Sequence, residues 1–176
     1  MKNPFKSWIH STFGKADKPE GLEAAADSMV FVVLDTETTG LDPLRDRILS
    51  LGAIRVQQGS IRIREGMELF LEQAHFDQES VPIHGILRQG RHERVSEAEA
   101  LKHFQEYAKG AVLVGHHLAF DLRMLNLALE RNGMGKLRQP ALDTGLLYQK
   151  TLLNSPLLRK KEHYSLDDLA HKFDLS

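Results

Sequence analysis

Asp35 and Glu37 stand two residues apart at the polar end of a short apolar run, Val30 to Leu34, in the stretch VFVVLDTETTG. The run is rich in β-branched and aromatic residues, which predicts a strand buried on both faces. If that strand continues through Glu37, the period of two puts both carboxylates on one face, where they repel each other. A divalent cation relieves the repulsion, and hard cations such as Mg²⁺ take carboxylate oxygens while keeping waters that suit a phosphate substrate. Solvation at a strand end, or capping of the next element, accounts for the same pair without any metal. Asp121 is a third candidate carboxylate, in the first turn or so of a predicted helix, where an acid also answers the helix dipole.

The elements that must position these residues can be read in order. Residues 1–27 differ in texture from the rest: Phe5, Trp8, Ile9 and Phe13 fall at helical spacing among Lys2, Lys6 and Lys15, which predicts a short amphipathic helix before Pro19 and Gly21. Such a helix packs on a domain's flank, or meets a partner protein or a membrane surface. After the first strand, GLDPLRDR at 40–47 is turn-rich, Ile48 to Gln57 reads as a second strand, and Ser60 to Gln73 as a third. The short Gln58-Gly59 turn between them predicts an antiparallel hairpin.

From Ser80 the texture is helical and basic, with Arg88, Arg91, His92 and Arg94 forming a local cluster. That cluster is a solvated surface or, in an enzyme acting on phosphodiesters, a backbone contact. Ser96 then starts an amphipathic helix with Ala98, Leu101, Phe104 and Ala108 on one face. Ala111 to Val114 is a fourth strand, and Leu118 to Arg131 a helix that turns Leu122, Leu125, Ala128 and Leu129 inward. Pro140 to Thr144 forms a short fifth strand, with a helix following through Leu153. Ser165 caps a last helix, SLDDLAHKFDL, with Asp168 at the capping-box position.

Composition bounds the rest. With 176 residues, 41% of them hydrophobic, the chain supports one ordinary domain with a real core. The 23 Lys and Arg against 24 Asp and Glu give net charge -1, so any nucleic-acid contact must be local. The absence of cysteine excludes disulfides and thiolate metal sites and fits a reducing compartment, while nine histidines keep nitrogen ligands available. No apolar run approaches the roughly 20 residues that span a bilayer, and no signal-peptide core is present, so the expectation is a soluble, cytoplasmic chain without a membrane partner.

Taken together, LDTETTGLDP at 34–43, IHGI at 83–86, GHHLAFDLRML at 115–125, LDT at 142–144 and YSLDDLA at 164–170 resemble the DEDD exonucleases, specifically the branch typified by the proofreading (epsilon) subunit of bacterial DNA polymerase III. The likeness runs from Val30 to Ser176, which makes 28–176 the exonuclease domain and 1–27 an N-terminal extension. It implies an α/β, ribonuclease-H-like fold: a mixed five-stranded sheet of three antiparallel strands and two more parallel to the first, with helices on both faces. It also implies a metal-dependent 3′-5′ exonuclease that removes nucleoside monophosphates from a single-stranded DNA or RNA 3′ end, in partnership with a polymerase or another replication or repair protein.

By the same resemblance, Asp35, Glu37 and Asp121 are three of four carboxylates that hold two Mg²⁺ or Mn²⁺ ions roughly 3.5 to 4 Å apart. Asp35 would bridge the ions, Glu37 would serve the one that activates water, and Asp121 the one at the leaving 3′ oxygen. Thr38, Thr39 and Gly40 would offer backbone contacts to the terminal nucleotide, Leu41 would wedge against its base, and His84 would lie near the same pocket. His117 stands where the family carries an asparagine, and either residue can donate a hydrogen bond.

The larger departure is at the C-terminus. The family's third motif, His-x4-Asp or Tyr-x3-Asp on a helix after the SLDDLA segment, has no counterpart before Ser176, so the general base and the fourth carboxylate are missing from this stretch. His163 or Tyr164 with Asp168 imitates the spacing, but Asp168 is followed by Leu169 rather than a small residue. A general base contributes roughly 10²–10⁴-fold. The reading is therefore an exonuclease with its second metal weakly held; the alternative is a truncated or pseudo-exonuclease that binds nucleic acid or protein without efficient catalysis. Without the motif helix, apolar sheet surface should be covered by the Phe5-Trp8-Ile9-Phe13 segment, be buried against another molecule, or leave the chain only marginally stable, with instability or association expected foremost.

Overall fold

A computed structural model describes residues 28–73, 93–151 and 165–175. Its sheet is organised on β1 (Val30–Thr38), which runs antiparallel to β2 (Ile48–Gln57) on one side and parallel to β6 (Val112–Gly115) on the other. The strand does continue through Glu37, so Asp35 and Glu37 share a face as their spacing requires. The sheet has seven strands, in the order β5-β4-β2-β1-β6-β7, with β3 (Ser60–Ile61) paired to β2 off that path. β4 (Met67–Leu71) is antiparallel to β2, and β7 (Ala141–Asp143) is parallel to β6. This is the mixed architecture expected, with three antiparallel and two further parallel strands at its centre.

The strand count exceeds five for two local reasons. The run Ser60 to Gln73 is not one strand: a 3-10 turn at Ile63–Glu65 interrupts it, closed by the Gly66 amide donating to the Ile63 carbonyl. That turn is pinned from outside, since the Tyr107 hydroxyl donates to the Glu65 carbonyl at 2.8 Å. The second reason is β5 (Arg94–Val95), a two-residue parallel pairing to Phe70 and Leu71 in a stretch whose basic texture read as helical. The Gln58-Gly59 hairpin is as expected: both residues have positive φ, 51° and 67°, the backbone twist that a two-residue turn needs.

Helices α1 (Glu97–Tyr107) and α2 (Ala119–Arg131) cover the first face of the sheet. Ala100, Leu101 and Phe104 of α1 and Met124, Leu125, Ala128 and Leu129 of α2 close over Val32, Leu34, Leu51, Ala53 and Leu113. Ala100 rather than Ala98 is the buried alanine of α1, and Leu122 is only partly buried. The Ser96 side chain caps α1 by accepting from the Glu99 amide.

The second face of β1 differs from expectation. The strand is not buried on both sides: Val32 is fully covered, whereas its neighbour Val33 is 36% exposed. There an open cleft of about 530 Å³ runs past Val33, Asp35, Ile54, Met67, His116 and Leu166. An apolar run therefore marks this strand as central without stating how well each face is covered. Leu166 begins α4 (Leu166–Lys172), which packs against α3 (Thr144–Thr151) through the edge-to-face pair Phe173 and Tyr148. The N-terminal extension, the Arg88, Arg91 and His92 cluster, His84, Leu153, His163 and Tyr164 lie outside the described residues.

Candidate active site

The tip of β1 is where the candidate residues meet. Asp121 enters from the first turn of α2, and its Oδ1 accepts from both the Thr36 amide (3.0 Å) and the Thr36 hydroxyl (2.6 Å). Thr36 is the residue between Asp35 and Glu37, so the buried aspartate is fastened to the middle of the acidic pair. Asp121 is only 5% exposed. Burial pushes its carboxyl above the usual range, the Thr36 hydrogen bond partly opposes this, and the nearby charge of Asp35 pushes it up further. Asp121 thus feels Asp35 directly, although the two approach from opposite faces of the strand: Asp35 lines the open cleft, and Asp121 sits with the helical layer.

What brings Asp121 so close is the turn from β6 to α2. Gly115 ends β6, and a Cβ there would lie 2.9 Å from Leu118 Cδ1 and 3.1 Å from the Leu34 carbonyl, so the turn lies against β1 with no room for a side chain. His117 follows in the left-handed region, φ 55°, a conformation in which Asn, Asp and His are enriched among non-glycine residues. A histidine can therefore occupy the family's asparagine position. His117 also packs edge-on against His116, whose Nδ1 is 2.9 Å from Thr144 Oγ1.

The loop after β1 is similarly braced. Thr39 Oγ1 donates to Asp46 Oδ1 (2.8 Å) and accepts from the Arg47 amide, while the Thr39 amide donates to the Arg47 carbonyl. Thr38 Oγ1 donates to the Gly40 carbonyl at 2.7 Å. A Cβ on Gly40 would come within 2.6 Å of Asp46 Oδ2, which explains glycine there. Leu41 is 84% exposed at the loop's crest, an apolar side chain held out beside the acidic tip.

Two supporting residues escaped the sequence reading. Asp143 accepts the Leu118 amide on Oδ2 (2.8 Å) and the Leu146 amide on Oδ1 (2.9 Å), so it ties the β6-α2 turn to the start of α3. Its signal was the LDT triplet, where an aspartate three residues before Leu146 has N-cap spacing. Asp46, which accepts from the Asp42 amide and from the Thr39 hydroxyl, carried no comparable signal for its tie to Thr39 at the other end of the loop. Asp168 is engaged in a capping box with Ser165, and those hydrogen bonds lower its carboxyl below the usual range. That occupation agrees with reading its spacing to His163 and Tyr164 as coincidental.

The donor set of Asp35, Glu37 and Asp121 is all oxygen, which suits a hard divalent cation. Positive charge between Asp35 and Asp121 would offset both the burial of Asp121 and its repulsion by Asp35. Among the described residues, no three acidic, imidazole or thiol side chains stand close enough together to form a ready-made metal cluster.

A mixed sheet with helices packed over one face, and a buried aspartate from the helix after β6 joined to an Asp-Thr-Glu strand tip, defines a ribonuclease-H-like nuclease domain of the DEDD type. The chain belongs to the exonuclease family described as RNase T exonuclease, whose model matches residues 32–176. It is 31% identical over 168 residues to a DNA polymerase III subunit epsilon-like protein of Rhodobacter capsulatus, covering 93% of this chain and 22% of that protein. It is 34% identical over 145 residues to the PolC-type DNA polymerase III of Thermotoga maritima, covering 82% of this chain and 10% of the polymerase. The chain thus spans about a tenth to a fifth of the length of these relatives.

Among solved structures, an exonuclease I from Methylocaldum szegediense superposes with a TM-score of 0.59 at 26% identity, over 65% of this chain and 27% of that one. E. coli exonuclease I in complex with a dA16 oligonucleotide gives a TM-score of 0.62 at 20% identity, over 70% and 30% of the two chains, and supports the fold alone.

Proposed function

We propose that this chain is a divalent-metal-dependent 3′-5′ exonuclease domain acting on single-stranded DNA, with Asp35, Glu37 and Asp121 as its metal-holding and catalytic carboxylates. The observation that carries the reading is the double hydrogen bond from Thr36 to Asp121, which ties the buried acid of α2 to the residue between Asp35 and Glu37. The complexes of related exonuclease I molecules with oligonucleotides favour a single strand as substrate. Relatives that are polymerase III proteins favour a replication or repair setting.

Bound Mg²⁺ or Mn²⁺ would supply positive charge at the phosphoryl oxygens, the chief need of phosphodiester cleavage. Asp35 presents a carboxylate at the cleft mouth, and Thr36 fixes the rotamer of Asp121. Leu41, exposed at the crest of the loop, would press on the terminal base, and Thr38, Thr39 and Gly40 would offer it backbone contacts. His117 would orient the terminal nucleotide from the β6-α2 turn.

One observation favours a second reading. The described residues hold no group of three potential ligands in metal-binding proximity, which suits a domain that holds a 3′ end without cutting efficiently. A 5′-labelled single strand incubated with Mn²⁺ distinguishes the two. A ladder shortening from the 3′ end, lost in Asp35→Asn and Asp121→Asn, supports the exonuclease. A retarded but uncut strand would support the binding module.

A further inference from the structure

A second cleft, of about 710 Å³, lies at the opposite pole of the sheet from the candidate active site. Met29 precedes β1, and Ala111 and Val112 open β6, so the cleft is at the N-terminal ends of the strands whose C-terminal ends carry the acids. Along β6 alone the two sites are separated by about 10 Å, three steps from Val112 to Gly115 at the usual strand rise. None of the residues lining this cleft takes part in the catalytic reading.

The chemistry of the cleft is distinct. Its floor is aliphatic, with Met29, Val112, Leu137 and Pro140, and its rim carries Lys102, Lys109, Lys136 and Arg138 against the single acid Glu106. All four cations are exposed. Lys109 pairs with Glu106 at 3.5 Å and Lys136 with Glu130 at 3.5 Å, both in open solvent where such pairs hold weakly. Lys102 and Arg138 make no ion pair among the described residues. A chain of net charge -1 has therefore gathered a cationic rim around one apolar hollow.

We propose that this cleft docks an acidic peptide segment of a partner protein, one that presents an apolar side chain to the aliphatic floor and carboxylates to the rim. The volume lies within the range of ligand sites, roughly 300–1,000 Å³. A nucleic-acid strand fits less well, because among the described residues no aromatic side chain lines the cleft for a base to stack on. The amphipathic part of the chain's own extension fits less well too, since Lys2, Lys6 and Lys15 match the rim in sign. Residues 17–27, with Asp17, Glu20, Glu23 and Asp27 against Lys18, have the right sign and join the chain close to Met29. They are the competitor the experiment must separate.

The probe is a fluorescein-labelled peptide of glutamate and leucine, EELEELEE, titrated with the full 176-residue chain and read by fluorescence anisotropy. Saturable binding is expected, weakening as salt screens the rim. The double variant Lys102→Glu with Arg138→Glu should bind about tenfold or more weakly, and Lys102→Gln with Arg138→Gln should fall between. Both variants should keep the wild-type melting temperature and the wild-type behaviour toward a labelled oligothymidylate. Absence of saturable binding, or equal binding by the charge-reversed chain, overturns the proposal. So does a parallel loss of oligothymidylate binding, which would make the cleft a nucleic-acid surface. Peptide binding that emerges only after Glu20→Gln, Glu23→Gln and Asp27→Gln would assign the cleft to the chain's own segment. None of these readouts depends on whether the strand tip cleaves DNA.

Discussion

Burial raises the proton affinity of Asp121, its hydrogen bond from Thr36 opposes that rise, and the charge of Asp35 adds to it. Because the folded carboxyl holds its proton more tightly than the unfolded one, whose ordinary value is 3.8, the ionised form costs stability above the folded pKa. That cost disappears as the pH falls to about 4. In metal-free protein near neutral pH, Asp121→Asn keeps an acceptor for Thr36 and removes the charge, so its melting temperature should exceed that of wild type. The difference should close toward about pH 4, and a thermal scan at several pH values checks this. The same variant should lose cleavage. Leu41 poses the converse case of an exposed apolar side chain with no structural duty: Leu41→Ala should raise KM about tenfold while leaving the melting temperature unchanged.

The decisive element is the turn from β6 into α2. Gly115 lets it lie against Leu34, and Asp143 holds it through the Leu118 amide. Gly115→Ala forces a Cβ to within 3.1 Å of a backbone oxygen, so the turn must move and take Asp121 with it. We expect a loss of about 1–3 kcal/mol by denaturant unfolding, the usual range for overpacking, together with a fall in kcat. Asp143→Asn, which retains one acceptor of the two, should lower kcat with a smaller effect on stability. If kcat falls no further than stability explains, the turn does not position Asp121. The same reasoning applies to α4, where Ser165→Ala should speed amide exchange in Leu166–Lys172 without touching the β1 tip.

For the molecule as a whole, metal binding should appear as stability. An ion that binds only the folded chain stabilises it by about 2.7 kcal/mol at a hundred times its Kd. Mn²⁺ should therefore raise the wild-type melting temperature, with Asp35→Asn and Asp121→Asn both abolishing the shift. A shift that survives either substitution would place the ion elsewhere. The open second face of β1, with Val33 exposed above the cleft that Asp35 lines, leaves Asp35 open to solvent, whereas α1 and α2 cover the other face, on which Asp121 is buried.

Local pattern alone determined much of this protein. The residues of β2, the positive-φ turn at Gln58-Gly59, the inward faces of α1 and α2 and the Ser165 capping box are set by interactions within a few residues, and each can be read from spacing. Asp35 and Glu37 were legible as a same-face pair for the same reason. Tertiary structure decided what depends on partners distant in sequence. The hydrogen bonds between Asp121 and Thr36 join residues 85 positions apart, and the contact that breaks the third strand runs from Tyr107 to Glu65, 42 positions apart. Coverage of β1 follows the same rule, since hydrophobicity shows that a strand prefers burial, while only the packing of other elements determines which face receives it.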